Sequence, residues 1–220
     1  MAQFEKATVG EKVAGYVETR RKVLITVLVV VIVAIGAFAL VTGITTSSAK
    51  KGISALDAIS YALTENSSEL SDEEIAARKE TALASLEKYN VKGGVVGVRA
   101  NMLSAEIVYS NKDYAKAAEF WIKAVAKGKK SYTAPICAFN AASSYENVND
   151  LENAAKYYEI AGNAEDFLLV SRANFNLGRV LEANGKNEEA VKAYKKVTEK
   201  DPDSSWGKLS KTQLIKLGAE

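Results

Sequence analysis

The chain has 220 residues and a formal net charge of +2, with no histidine and a single cysteine, Cys137. That length fits one sizeable domain, and the residue counts exclude Ser/His and Cys/His catalysis, the common zinc sites and any intramolecular disulfide. The positive charge is concentrated near the start, whereas residues 52–220 carry 22 basic against 24 acidic side chains, so the body lacks the basic stripe that nucleic-acid binding needs.

Residues 1–22 form an expected cytoplasmic arm holding Lys6, Lys12, Arg20, Arg21 and Lys22 against three glutamates. From Val23 to Gly43 no charge interrupts an apolar run. Those residues span about 31 Å as a helix, enough for the hydrocarbon core of a bilayer, which predicts a transmembrane anchor over 23–43. The run and its preceding arm are both longer than the corresponding parts of a cleaved signal peptide, so an uncleaved anchor is expected. Arg20, Arg21 and Lys22 ahead of the run, against Lys50 and Lys51 behind it, place the N-terminus in the cytoplasm by the positive-inside rule. The body then faces the periplasm from a single-pass helix in the inner membrane. Ala39 and Gly43 form a small-xxx-small pair, a weak dimerisation signal.

Residues 44–52 read as a linker, and 53–97 as a degenerate helix pair with its own linker. Ile53–Glu65 and Asp72–Tyr89 are the two helices, separated by "NSSELS". In "SDEEIAARKE", Ser71 or Asp72 caps the second helix and Glu73 and Glu74 fill its first turn. "VKGGVVG" leads onward.

Residues 98–202 contain three copies of one pattern. The clearest has Leu177, Gly178, Leu181, Gly185, Ala190, Tyr194, Val197 and Pro202. A second has Ala141, Ala142, Tyr145, Asn149, Ala154, Tyr158 and Ala161, and a third has Ser104, Ala105, Val108, Lys112, Ala117, Trp121 and Ala124. This is the spacing of the tetratricopeptide repeat, in which each copy is a helix hairpin. Small residues allow close approach of the two helices, and the aromatic residue fills the volume beside them. "NGKNEE", "NVNDLE" and "SNKDYA" supply the turns. Residues 203–220 then form an amphipathic capping helix, with Trp206, Leu209, Leu214 and Leu217 inward and Lys208, Lys211 and Lys216 outward. The fold expected is all-α: a transmembrane helix followed by an α-solenoid of about three tetratricopeptide repeats, a degenerate N-terminal helix pair and a C-terminal capping helix.

Nothing in the sequence assembles chemistry: no phosphate loop, metal cluster, activated nucleophile or paired acids occurs. No catalytic, cofactor-binding or metal residue is therefore expected, and Cys137, among Ile136, Ala138 and Phe139, reads as an inert buried thiol. In such a stack the first helix of each repeat lines a groove. Its groove-facing positions are Arg99, Met102, Glu106 and Tyr109 in the first copy, Ile136, Phe139, Ser143 and Glu146 in the second, and Arg172, Phe175, Arg179 and Glu182 in the third. Arginine mixed with Phe, Met and Tyr matches the composition of protein-binding hot spots. The candidate partner-binding residues are thus Arg99, Met102, Tyr109, Phe139, Arg172, Phe175 and Arg179, for an extended or helical client segment.

The order of arm, anchor, degenerate helix pair and three repeats resembles the YfgM-like family of single-anchor, periplasm-facing tetratricopeptide repeat proteins, ancillary to the bacterial Sec translocon and its chaperones. The resemblance implies an interaction module contacting the translocon, a periplasmic chaperone or another envelope complex. A scaffold for a secretion apparatus, a motor or the division machinery is the alternative. Tetratricopeptide repeats of the carboxylate-clamp type carry Lys and Asn in the first repeat where this chain has Met102 and Glu106, so that ligand class is not expected.

Overall fold

The computed structural model describes residues 8–219, apart from the side chains of residues 11, 12 and 15. Residues 1–7 of the arm, Lys6 among them, and Glu220 lie outside the described residues. The chain divides into two compact units, 1–51 and 52–220, taken in turn. Helix α1 runs Val9–Thr64 and contributes to both.

In the first unit α1 carries the apolar run with its side chains exposed throughout 23–44. It is the one helix, among the described residues, long and apolar enough to cross a membrane. Its hydroxyls are satisfied by its own backbone: Thr26 Oγ1 donates to the Lys22 carbonyl and Thr42 Oγ1 to that of Phe38, each at 2.9 Å. A helix therefore presents no unpaired backbone or hydroxyl group here, the condition for residence in lipid. Residues 44–51 of the expected 44–52 linker are helical. Thr45 Oγ1 bonds back to the Val41 carbonyl at 2.9 Å, and no Pro or Gly occurs until Gly52 to break the pattern.

The second unit is a stack of antiparallel helix pairs. After residues 52–64 of α1 come a 3-10 turn (Ser67–Glu69) and α2 (Asp72–Asn90). Three further pairs of partners follow as α3 (Gly94–Ser110) with α4 (Tyr114–Lys127), α5 (Thr133–Asn147) with α6 (Leu151–Gly162), and α7 (Val170–Ala183) with α8 (Asn187–Lys200). Helix α9 (Ser205–Lys216) closes the end. No strand occurs among the described residues.

The starts of these helices follow from their sequences. Ser71 caps α2 in a reciprocal box with Glu74, the Ser71 amide donating to Glu74 Oε2 at 2.9 Å. Asp113 and Asp150 accept the backbone amides of Lys116 and Asn153, and Ser204 accepts that of Gly207, each satisfying an otherwise unpartnered donor of a first turn. The turns within the three pairs reverse through left-handed residues at one equivalent place: Lys112 (φ 63°), Asn149 (φ 58°) and Gly185 (φ 76°).

Packing within each pair depends on small residues meeting a ring. Ala105, Ala142 and Ala117, Ala154, Ala190 are fully buried. At Gly178 a Cβ would lie 2.5 Å from Cε1 of Tyr194, itself fully buried. The third pair thus closes by laying the Tyr194 ring directly on the glycine. Between pairs, a buried asparagine ties one helix to the end of the preceding one. Asn101 Nδ2 donates to the carbonyls of Asn90 (2.9 Å) and Gly97 (2.7 Å), and Asn174 Nδ2 to those of Gly162 (2.8 Å) and Val170 (3.1 Å). In α5 the same place is held by Ala138, and that tie is missing.

Two further expectations need correction. The predicted linker "VKGGVVG" is mostly helix, since α3 begins at Gly94. Gly97 belongs inside it because a side chain there would collide with the Lys92 carbonyl. In α9 the inward face is Gly207, Ser210 and Leu214, with Trp206 and Leu217 partly buried; Leu209 is exposed. Gly207 sets this phase, because its Cα packs against the carbonyls of Asp201 and Pro202, where no Cβ fits. The helix rotates to keep that contact and turns Leu209 outward.

Candidate protein-binding groove

The first helices of successive pairs, α3, α5, α7 and then α9, present the predicted groove positions side by side. The structure brings most of them into contact with one another, and those contacts decide which remain open to a partner.

Phe139 and Phe175 are buried. Phe139 packs edge-on against Tyr158 with ring centres 5.3 Å apart, and Phe175 lies 5.7 Å from Tyr194 and 5.3 Å from Trp206. They form the groove floor and present little surface to a partner. Periodicity placed them on the correct helix face, but their burial comes from the neighbouring pair, which the spacing of residues within one copy does not reveal.

The charged positions divide into paired and unpaired. Glu146 accepts the Tyr158 hydroxyl at 3.1 Å and pairs with Arg179 at 2.6 Å. One repeat later, Glu182 accepts the Tyr194 hydroxyl at 3.1 Å and pairs with Lys216 at 3.0 Å. Each rung links a second helix to its own first helix and then to the next first helix along the stack. Burial, and then the glutamate beside each ring, push the Tyr158 and Tyr194 hydroxyls well above the ordinary phenol range. Arg99 pairs with Asp57 at 2.6 Å. Met102 and Tyr109 are half-buried, the Tyr109 ring packing edge-on against Tyr114 at 4.9 Å.

Arg172 differs. Its guanidinium carbon lies 5.3 Å from the ring centre of Phe139 and 5.6 Å from that of Trp206, so aromatic rings from α5 and α9 hold it over the groove. The residue is exposed, and it has no carboxylate partner among the described residues. A planar cation held by ring faces keeps its N–H edge for an incoming acceptor. Sequence reasoning named Arg172 and Arg179 alike, and only the geometry separates them. It also missed Trp206 as a groove residue, although its place in α9 matches that of Arg172 in α7.

Cys137 is fully buried, and desolvation, then the charge of Glu106, push its thiol up to about 12. It is not a nucleophile at neutral pH. Among the described residues no group of three or more acidic or cysteine side chains gathers around a common point.

Comparison with known proteins agrees with this architecture. The tetratricopeptide repeat family model matches residues 139–205. A TPR repeat-containing protein of Treponema pallidum (strain Nichols) is 32% identical over 146 residues, covering 65% of this chain and 61% of that protein. A TPR repeat-containing protein of Methanocaldococcus jannaschii is 35% identical over 95 residues, 42% of this chain and 29% of that protein. The chain thus spans less than two thirds of either relative. Among solved structures, nearly identical TPR-like repeats assigned to a kinesin light chain of Podosopora anserina superpose with a TM-score of 0.54 at 16% identity, over 74% of this chain and 83% of that one. The fold is a tetratricopeptide-repeat solenoid, and its repeats form a protein-interaction module.

Proposed function

We propose that the chain is a membrane-anchored tetratricopeptide adaptor that receives a partner segment in the groove over Arg172. Its first helix holds it in the inner membrane, with the N-terminus cytoplasmic and the repeats periplasmic, and it acts as an ancillary subunit at protein-export or chaperone complexes. The observation that carries the binding reading is the state of Arg172: exposed, held by Phe139 and Trp206, and unpaired while Arg99, Arg179 and Lys216 each have a carboxylate. A partner segment bearing one acidic side chain beside an apolar one fits that arrangement, as a bidentate charge-assisted contact next to aromatic surface. The anchor reading is supported by the apolar run behind Arg20, Arg21 and Lys22. The resemblance to YfgM-like proteins supports the export setting.

The test is crosslinking of the full chain in native membranes, with captured proteins identified by mass spectrometry. Export or chaperone components captured by the natural chain, and lost with Arg172→Ala, support the proposal. Capture unaffected by Arg172→Ala contradicts the groove assignment, and capture of division or secretion-apparatus components instead replaces the export setting. Arg179 is a poor probe, because removing it strips Glu146 of its partner and mixes stability with binding.

A further inference from the structure

The helical unit has two edges, where the chain turns within pairs and where it passes between them, and they differ in chemistry. The connections between pairs end in protruding apolar side chains: Val91 after α2 is 78% exposed and Tyr132 after α4 is 85% exposed. Around them stand the exposed lysines Lys92, Lys129 and Lys130. These two connections are contiguous. Lys127 Nζ donates to the Lys92 carbonyl at 2.7 Å, joining the end of α4 to the loop before α3. Gly52, where the unit begins, belongs to the same edge, since a Cβ on it would lie 2.8 Å from Cγ2 of Val96 in the first turn of α3. The connection after α6 also carries a protruding apolar tip, Leu168, 98% exposed, but its Glu165 and Asp166 line one hollow with Lys129, Lys130 and Tyr132, and Asp201 and Asp203 follow α8. The opposite edge, at Lys112–Asp113, Asn149–Asp150 and Gly185–Lys186, carries no such cluster.

Covalent connection adds a distance limit. Between Gly43, the end of the apolar run, and Gly52 the chain reaches at most about 30 Å even when fully extended. It carries Lys50 and Lys51, both exposed. The edge that bears the lysines and protruding apolar tips is therefore the edge that begins at the tether. Lysine flanking a single exposed Tyr or Val is the composition that settles at an anionic headgroup layer, where the ring occupies the interface and the ammonium groups meet lipid phosphates.

We infer that the edge formed by Val91, Lys92, Lys129, Lys130 and Tyr132 docks on the anionic bilayer surface. This inference rests on the anchor reading above. Glu165 and Asp166 offset Lys129 and Lys130 where the two connections meet, so the attraction rests on the excess of lysine at Lys50, Lys51 and Lys92 and weakens toward Asp201 and Asp203.

The experiment uses the full chain carrying Cys137→Ala and one spin-labelled cysteine at a time, from Tyr132→Cys, Asn149→Cys or Val31→Cys. Each is reconstituted in nanodiscs of phosphatidylcholine, with or without phosphatidylglycerol, and doped with a nickel-chelating lipid. The expected result is strong headgroup relaxation at position 132 in anionic discs. It should fall several-fold in neutral discs and in the triple variant Lys92→Glu, Lys129→Glu, Lys130→Glu, with little relaxation at 149 in any disc. Equal relaxation at 132 and 149, or indifference of 132 to lipid charge and to the triple variant, overturns the inference. The Val31 label separates the two readings. Access of an aqueous nickel chelate to it defeats the anchor and this inference together, whereas a shielded Val31 with no difference between 132 and 149 defeats the inference alone. Protection of 132 in native membranes but not in anionic discs assigns the edge to a protein and likewise overturns lipid docking.

Discussion

The first and third helix pairs follow one backbone plan with different side-chain ties. In the third, Tyr194 rests on Gly178 and its hydroxyl reaches Glu182, which in turn holds Lys216 of α9. In the first, Trp121 takes the ring position and its buried indole N–H finds no acceptor. Tyr109 stands where the glutamate would be, its hydroxyl accepting only a 3.3 Å bond from Asn147. The turn of the first pair also forces Lys112 into the left-handed region that Gly185 occupies without strain. The solenoid therefore needs only the small-residue contact and a ring to close a pair. The polar rung is an addition that couples one pair to the next. The family model matches 139–205, the stretch that holds the first rung and all of the second but Lys216, and stops short of the first pair.

The contrast can be broken most strongly at the closest contact. Gly178→Leu drives a side chain into the fully buried Tyr194 ring and should destabilise the chain by about 3 kcal/mol, read as loss of melting temperature in detergent. An unchanged melt would show that the third pair does not close on that contact. Removing the rungs has a smaller effect. Tyr158→Phe and Tyr194→Phe should each cost about 1 kcal/mol, whereas Trp121, at the ring position of the first pair, has no hydroxyl to lose.

The rungs also leave a signature in pH. Because the folded protein raises the Tyr158 and Tyr194 pKa values, it binds those protons more tightly than the unfolded chain. The associated stability is fully present below about pH 10 and is lost as pH rises through the folded values. Cys137, pushed up to about 12, acts with the same sign from a lower starting pH. Denaturant midpoints measured at rising alkaline pH should fall, and fall less in the Tyr158→Phe, Tyr194→Phe double variant. Parallel slopes for the two proteins would remove the rungs from the account of the alkaline transition.

The smallest effect has the opposite sign. Lys112→Gly relieves the left-handed strain of the first turn and should stabilise it by about 0.5–1 kcal/mol. Gly185→Ala, at the equivalent place, should destabilise by a similar amount.

These differences explain what was legible in the sequence. The copies, their turns and the Ser71 cap follow from spacing and local chemistry, which act over a few residues. The helical character of 44–51 was missed because a run of Thr, Ser and Lys reads as polar linker, although the Thr45 hydroxyl bonds back to the helix. Leu209 was placed inward by its apolar character, whereas the contact of Gly207 with the Asp201 and Pro202 carbonyls sets the phase of α9. At the groove, the spacing marked the correct face. It did not separate Phe139 and Phe175, covered by the next pair, from Arg172, left open by it. Contacts between pairs depend on how one hairpin stacks on another, and no single copy contains that information.

The most direct measurement places a photocrosslinking amino acid in the full chain at Ser143, a half-buried groove position beside Glu146, or at Lys192 on α8, which is exposed and away from the groove. Irradiation in native membranes should yield one discrete adduct from position 143 and none from 192. Arg172→Ala should abolish the adduct while lowering stability by less than about 1 kcal/mol. An adduct that forms equally well with Arg172→Ala, or forms only from position 192, would contradict a partner site in the groove.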